Sequence, residues 1–326
     1  MKMPRTKNRN VLVKLLSNNE IGTVFPLVAL CVIIACVNPA FLDYHNLVDI
    51  LRTASYSFIV AIPVTFMMIS GGMDMSIGAV TSLGSVLAAI TIVKWGLPIP
   101  AAILLTIVLC AAVGAFNGLV IMKMKFPPFI VTLATQYMVN GFLSIITRNT
   151  PIAGLPDSFM ILGQGKLFGT VYYSIVIAIV LGVLGHIILT RTKYGRSIFA
   201  TGGNVETAAL AGINIVGIRV SAYMLCSIFA GIAGIIMCSR FSSGQPIAGT
   251  GTEMVIMAAV IIGGTSLSGG VGSVVGSAIG CMMFAVITNG LIFMKVSTLW
   301  QNFIFGAILL LSICLDNYRR KINGTL

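Results

Sequence analysis

Eight carboxylates, two histidines and seven cysteines are nearly all the chain offers for acid–base, nucleophilic or metal chemistry in 326 residues. General acid and base catalysis needs two titratable groups within reach of one substrate, and the carboxylates form no close pair in the sequence. His45 and His186 are far apart and show no HExxH spacing. Cys31, Cys36, Cys110, Cys226, Cys238, Cys281 and Cys314 lie in apolar runs without a CxxC pair, so they read as small core residues rather than a disulfide framework or zinc site. The nearest relative of a phosphate loop is GQGKLFG, at Gly163–Gly169. It lacks the first glycine of GxxxxGK[ST] and carries Leu167 where a hydroxyl would hold magnesium. No metal, cofactor or catalytic residue is expected, and no ATP site.

One carboxylate stands apart. ISGGMDMSIGA, at Ile69–Ala79, places Gly71, Gly72, Asp74 and Ser76 between two hydrophobic runs. The glycine pair frees the backbone from helical dihedrals, and Asp74 or Ser76 can then cap a restarted helix by accepting from its free N–H groups. Irregular backbone at membrane depth survives only under protein or in a water-filled cavity, and ionisable groups there tend to face an interior pathway. The alternative is an ordinary capping carboxylate at a surface loop. A similar stretch, IIGGTSLSGGVGSVVG at Ile261–Gly276, repeats the pattern with Gly263, Gly264 and Ser268. Either this is a parallel repeat with both copies at the cytoplasmic side, or two glycine-rich segments coincide by chance. Asn117, Thr132, Thr135, Gln136, Asn140 and Glu253 are polar positions on otherwise apolar spans. They are candidates to line a translocation path or to hydrogen-bond between helices.

The elements that must hold these residues are hydrophobic helices. The chain is 57% hydrophobic and 9% charged, and apolar runs recur at the ~20 residues needed to cross a bilayer. About ten spans are expected, near 21–41, 53–71, 74–93, 98–122, 127–147, 171–190, 217–239, 252–264, 273–293 and 298–315, in an all-α polytopic transmembrane bundle. Residues 1–20 read as a retained cytoplasmic tail, 21–316 as one transmembrane domain and 317–326 as a second cytoplasmic tail. The net charge of +12 marks no nucleic-acid patch, because the basic residues sit between apolar segments. Lys2, Arg5, Lys7, Arg9, Lys14, Lys123, Lys125, Arg191, Lys193, Arg196, Arg219, Arg319, Arg320 and Lys321 fall inside on this count. Arg52, Lys94, Arg148, Lys166, Arg240 and Lys295 fall outside, and the asymmetry places both termini in the cytoplasm.

The longest cytoplasmic loop, about 191–216, holds TKYGRSIFATGGNVETAALAGI. Asn204 suits an N-cap, Glu206 the first turn and Gly212 the C-terminal stop of a short helix near Val205–Ala211. Ala208, Ala209 and Ala211 give it a small face suited to another protein's groove; a well-capped linker would look similar.

These segments, with FNGLVI at Phe116–Ile121 and PIAGTGTEMVIMAAVIIGGTSLSGGVGSVVGS at Pro246–Ser277, resemble the membrane permease subunits of bacterial sugar ABC importers, the group that includes ribose, xylose and galactoside permeases. The resemblance runs from about residue 45 to 315. Met73 and Met75 replace the branched apolar residues of the family's usual GG(I/L)D(L/V)S. It implies a permease in the bacterial cell membrane, working as a pair with a second copy or paralogue and bathed in membrane lipid. Sugar would arrive from an extracytoplasmic binding protein, through contacts at Arg148–Thr170 and Arg240–Thr252. ATP would be bound by separate ATPase subunits, and Gly202, Gly203, Asn204, Glu206, Ala208, Ala209 and Gly212 would couple to them. Asp74 would be structural for a cytoplasmic gate rather than a sugar ligand. An ion-gradient-driven secondary transporter shares the broken helices but would work without an ATPase.

Overall fold

The computed structural model describes residues 21–297, 300, 303–307 and 310. Twelve helices are complete within 21–297. They are α1 (Ile21–Val37), α2 (Tyr44–Ile69), α3 (Ile77–Ala89), α4 (Ile99–Met124), α5 (Pro128–Thr147), α6 (Asp157–Gln164), α7 (Tyr173–Arg191), α8 (Lys193–Gly203), α9 (Val205–Leu210), α10 (Ile215–Arg240), α11 (Thr252–Ile262) and α12 (Val274–Phe293). A π-helical turn at Ile90–Lys94 carries α3 further, closed by Trp95 N–H donating to Ile90 O. Among the described residues, seven helices are long and apolar enough to cross a membrane, while Val24–Val37 and Thr252–Ile262 are shorter apolar helices. Nine of the ten expected spans thus meet a helix, and most of 298–315 lies outside the described residues, as do Cys314 and both tails.

Three elements were not expected. The loop after α5 contains α6 and a two-residue antiparallel ribbon of β1 (Lys166–Leu167) and β2 (Val171–Tyr172), and the loop after α7 holds α8 before the expected short helix. The ribbon and α6 are too short for hydrophobic periodicity to reveal them. The cysteines divide by position: Cys110, Cys226, Cys238 and Cys281 are buried, Cys31 is partly so, and Cys36 is exposed.

Helix α3 is the centre of the bundle. Its span is 89% buried, against 22% for α4 and α5, which turn most of their surface outward. Glycine makes that burial possible, because small residues let helix backbones approach closely where no water drives them together. A Cβ on Gly84 would meet the Gly231 carbonyl of α10 at 2.6 Å, and one on Gly234 would strike the Thr81 carbonyl. Gly114 and Gly118 of α4 abut Tyr223 and Val220 of α10 in the same way. On another face of α3, the irregular segment between α10 and α11 is held at depth. Ser82 Oγ accepts from Gly249 N–H (2.9 Å) and Ser85 Oγ from Gln245 N–H (3.1 Å). Backbone donors that a bilayer would leave unpaired are thereby satisfied by helix side chains.

Several of the basic residues pack against aromatic rings. Arg52 is buried, donates to Gly163 O (2.6 Å) and lies 3.9 Å over the Tyr172 ring, which Lys166 also approaches. Arg240 packs over Tyr56. Arg52, Lys166 and Arg240, three of the residues sorted to one side in the sequence, thus gather around Tyr56 and Tyr172.

Gly84→Leu should lower the thermal midpoint of the detergent-purified protein by several degrees, since overpacking against backbone costs about 1–3 kcal/mol. Gly141→Leu, on α5 with nothing within 4 Å of its Cβ position, should leave the midpoint unchanged. Equal effects at both positions would refute glycine-mediated packing as the source of the burial.

Candidate functional site

The break after α2 is built from the backbone outward. Gly71 takes φ +82; its N–H donates to Met68 O, and Gly72 N–H reaches back to Met67 O, both at 2.9 Å. This left-handed stop ties off two of the carbonyls that every helix end leaves free. The other two find remote donors: Ile69 O accepts from Gly270 N–H (2.8 Å) and Ser70 O from Arg219 Nε (3.2 Å). The second break closes by the same motif. Gly264 takes φ +92 and donates to Ile261 O, while Thr265 N–H donates to Val260 O. The equivalent residues are Gly71 and Gly264, so the two motifs align with an offset of one from the match of glycine pairs. Gly263 ends α11 and presses on the backbone of Gly276, and Ser268 lies exposed in the loop beyond.

Asp74 is completely buried. Its Oδ1 accepts from Ser76 N–H (2.8 Å) and from Ser76 Oγ (2.6 Å), while Oδ2 has no hydrogen-bond partner among the described residues. Ser76 precedes α3 but makes no side-chain cap; its hydroxyl turns back to Asp74. The expectation that Ser76 caps is corrected, because a short strong bond to a carboxylate outcompetes a bond to a helix amide.

From Ser76 the polar contacts run outward in a line. Asn117 Nδ2 donates to Ser76 Oγ (3.0 Å), and Thr135 Oγ1 donates to Asn117 Oδ1 (2.6 Å). Thr132 Oγ1 accepts from Met75 N–H (3.0 Å). Asn117, Thr132 and Thr135 are all buried, so in this structure they brace the break against α4 and α5. Gln136 differs: half-buried, it donates to Glu253 Oε1 (3.0 Å) in the first turn of α11. Glu253 Oε2 has no partner among the described residues and sits where a Cβ on Gly78 would be. Asn140, one turn beyond Gln136, is also half-buried.

Two residues at the break escaped sequence reading. Tyr223 of α10 is buried, and its hydroxyl donates to Met73 O (3.1 Å) and accepts from Met73 N–H (3.2 Å). It lies in a hydrophobic run more than a hundred residues away, where only its type could have been noticed. Arg219 read as a topology charge.

The loop between α7 and α10 forms a compact pair. Thr192 Oγ1 caps α8 through Gly195 N–H and Asn204 Oδ1 caps α9 through Thr207 N–H (2.8 Å); Gly212, at φ +79, ends the pair. Gly202 and Gly203 form the last turn of α8. Ala208, expected on the docking face, is instead buried in the chain's own interior at 3% exposure. The outward residues are Val205, Glu206, Ala209 and above all Leu210, 90% exposed. Among the described residues no group of three His, Cys, Asp or Glu side chains gathers as a metal site would require.

Asp74→Asn keeps the oxygen that holds Ser76, so uptake at equal membrane abundance should stay within about threefold of wild type. Asp74→Leu strands two buried donors at about 1–3 kcal/mol each and should abolish uptake. An inactive Asn variant would show that charge, rather than acceptance, is what the break needs.

Comparison with known proteins now gives this geometry a context. A family model described as branched-chain amino acid transport system / permease component matches residues 46–313. The ribose import permease protein RbsC of Bacillus subtilis is 36% identical over 299 residues, covering 91% of this chain and 92% of that protein. RbsC of Escherichia coli K12 is 35% identical, covering 92% and 94%. The xylose transport system permease protein XylH of Haemophilus influenzae is 30% identical, covering 90% and 96%. No solved structure matches significantly. With bracing residues inside a multi-pass helical bundle and a match spanning most of its length, the chain belongs to this family of transport-system permease components.

Proposed function

We propose that this chain is the membrane permease subunit of an ATP-driven importer that passes a monosaccharide, delivered by an extracytoplasmic binding protein, across a bacterial inner membrane. The similarity to ribose and xylose permeases supports the cargo class. The observation that carries the reading is Leu210: an apolar side chain 90% exposed on a doubly capped helix of a chain without a nucleotide motif of its own. A hydrophobic knob held rigidly in water is suited to a partner's pocket. On this reading α9 seats in an ATPase subunit through Val205, Ala209 and Leu210, with Asn204, Glu206 and Gly212 shaping the helix, and Ala208 anchors it from within.

The chain works as a pair, with its passage on the outward side of α5 where Gln136 and Asn140 interrupt an apolar surface. Glu253 supports Gln136 there. Ten spans, with 298–315 as the last, leave both termini and the tails 1–20 and 317–326 in the cytoplasm, on the side favoured by the basic residues.

Reconstitution with ATPase and binding protein tests the reading: uptake should require ATP, and uptake driven by an ion gradient without the ATPase would overturn it. Leu210→Asp and Ala209→Arg should lose co-purification of the ATPase while membrane abundance stays normal. Ala208→Arg should instead deplete the chain itself, because burying an unpaired charge costs several kcal/mol, about 3 or more. ATPase binding by Leu210→Asp at wild-type strength would remove α9 as the docking element.

A further inference from the structure

The two helix breaks and the loop pair meet at one point, and the meeting is made of backbone. Gly270 N–H donates to Ile69 O at the end of α2, a bond of 2.8 Å between residues of the two breaks. The last turn of α8 lies on that bond. A Cβ on Gly202 would strike the Ile69 carbonyl oxygen and come within 2.6 Å of Gly270 N, both ends of the hydrogen bond at once. From the other side, a Cβ on Gly269 would stand 2.8 Å from Ile69 O and 3.0 Å from Gly202 O. A Cβ on Gly270 would stand 3.2 Å from Gly203 Cα. Gly269 and Gly270 both have positive φ, +84 and +76, so the loop is shaped as well as thinned by glycine.

We infer that Gly202, Gly269 and Gly270 form a side-chain-free junction through which α8 and α9 move both helix breaks as a single body. This rests on the reading of α9 as the ATPase-docking element. Backbone in van der Waals contact with backbone has no rotamer to relax, so a displacement of α8 passes directly to Ile69 and Gly270. Arg219 adds a second tether, since it holds the adjoining Ser70 carbonyl from the start of α10, immediately after the loop pair. The junction also accounts for a glycine at 202 beside one at 203: the two neighbours have opposite environments, and Gly203 has nothing within 4 Å of its Cβ position. Gly202, Gly269 and Gly270 are positioning residues, remote from any cargo.

Gly202→Ala and Gly141→Ala, each assembled with ATPase and binding protein in proteoliposomes, test the junction. Gly202→Ala should still bind the ATPase and hydrolyse ATP, but cargo moved per ATP should fall about tenfold or more. Gly141→Ala, with nothing within 4 Å of its Cβ position, should match wild type. A Gly202→Ala complex with a normal ratio overturns the inference, as does an equal fall in Gly141→Ala. Should Gly202→Ala not assemble, hydrogen exchange on the wild-type complex decides. Protection of 199–203 and of 267–272 should change together between nucleotide-free and ATP-bound states, and a change confined to one segment overturns the single-body junction. Failure of the wild-type chain to retain an ATPase would instead remove the functional reading beneath it.

Discussion

Everything near the candidate gate follows from the cost of ending a helix where no water can satisfy its last carbonyls. Helix α2 stops at Ile69, deep enough that Ile69 is completely buried. Its four terminal acceptors must then find donors in protein. Gly71 and Gly72 supply two by folding back, Gly270 and Arg219 supply the others from distant segments. An end capped only by its own glycines would be a local feature. Because half of its closure comes from elsewhere, the break after α2 binds together the loop following α11 and the start of α10.

The buried carboxylate belongs to the same economy of acceptors. Asp74 turns the chain from the glycine stop into α3 by gathering the N–H and hydroxyl of Ser76, and Asn117 and Thr135 complete the chain of contacts to α4 and α5. Each such bond contributes about 1 kcal/mol, but leaving one buried partner unpaired costs more, so the set behaves as a unit. Asn117, Thr132 and Thr135 are bracing contacts in this structure. Gln136 and Asn140 differ in being only partly buried.

Close packing explains how so many segments converge. Glycine removes the side-chain layer between α3 and α10, between α4 and α10, and between α8 and the helix breaks. Where the layer is removed, a shift in one element becomes a shift in its neighbour; where side chains remain, rotamers can absorb it. The composition, with 35 glycines, is in this light a record of contacts.

Much of this was written in the linear chain because it depends on local physics. Runs of ~20 apolar residues specify membrane helices in any context, glycine pairs mark where helices stop, and Asn204 with Gly212 delimits a short helix through bonds spanning only a few residues. The helix order, the breaks and the loop helix were legible for that reason. Which way a side chain faces was not. Ala208 and Ala209 are adjacent and identical in type, yet one is buried and the other exposed, because only the packing of α9 on its own chain distinguishes them. Likewise Asn117, Thr135 and Asn140 all read as polar residues on apolar spans, and tertiary contact alone turned Asn117 onto Ser76 and Thr135 onto Asn117. The alignment of Gly264 with Gly71, the bond from Gly270 to Ile69 and the seat of Gly202 upon it join residues up to about two hundred positions apart. No local propensity encodes such pairings; they exist only once the helices have packed and each buried backbone group has found its partner.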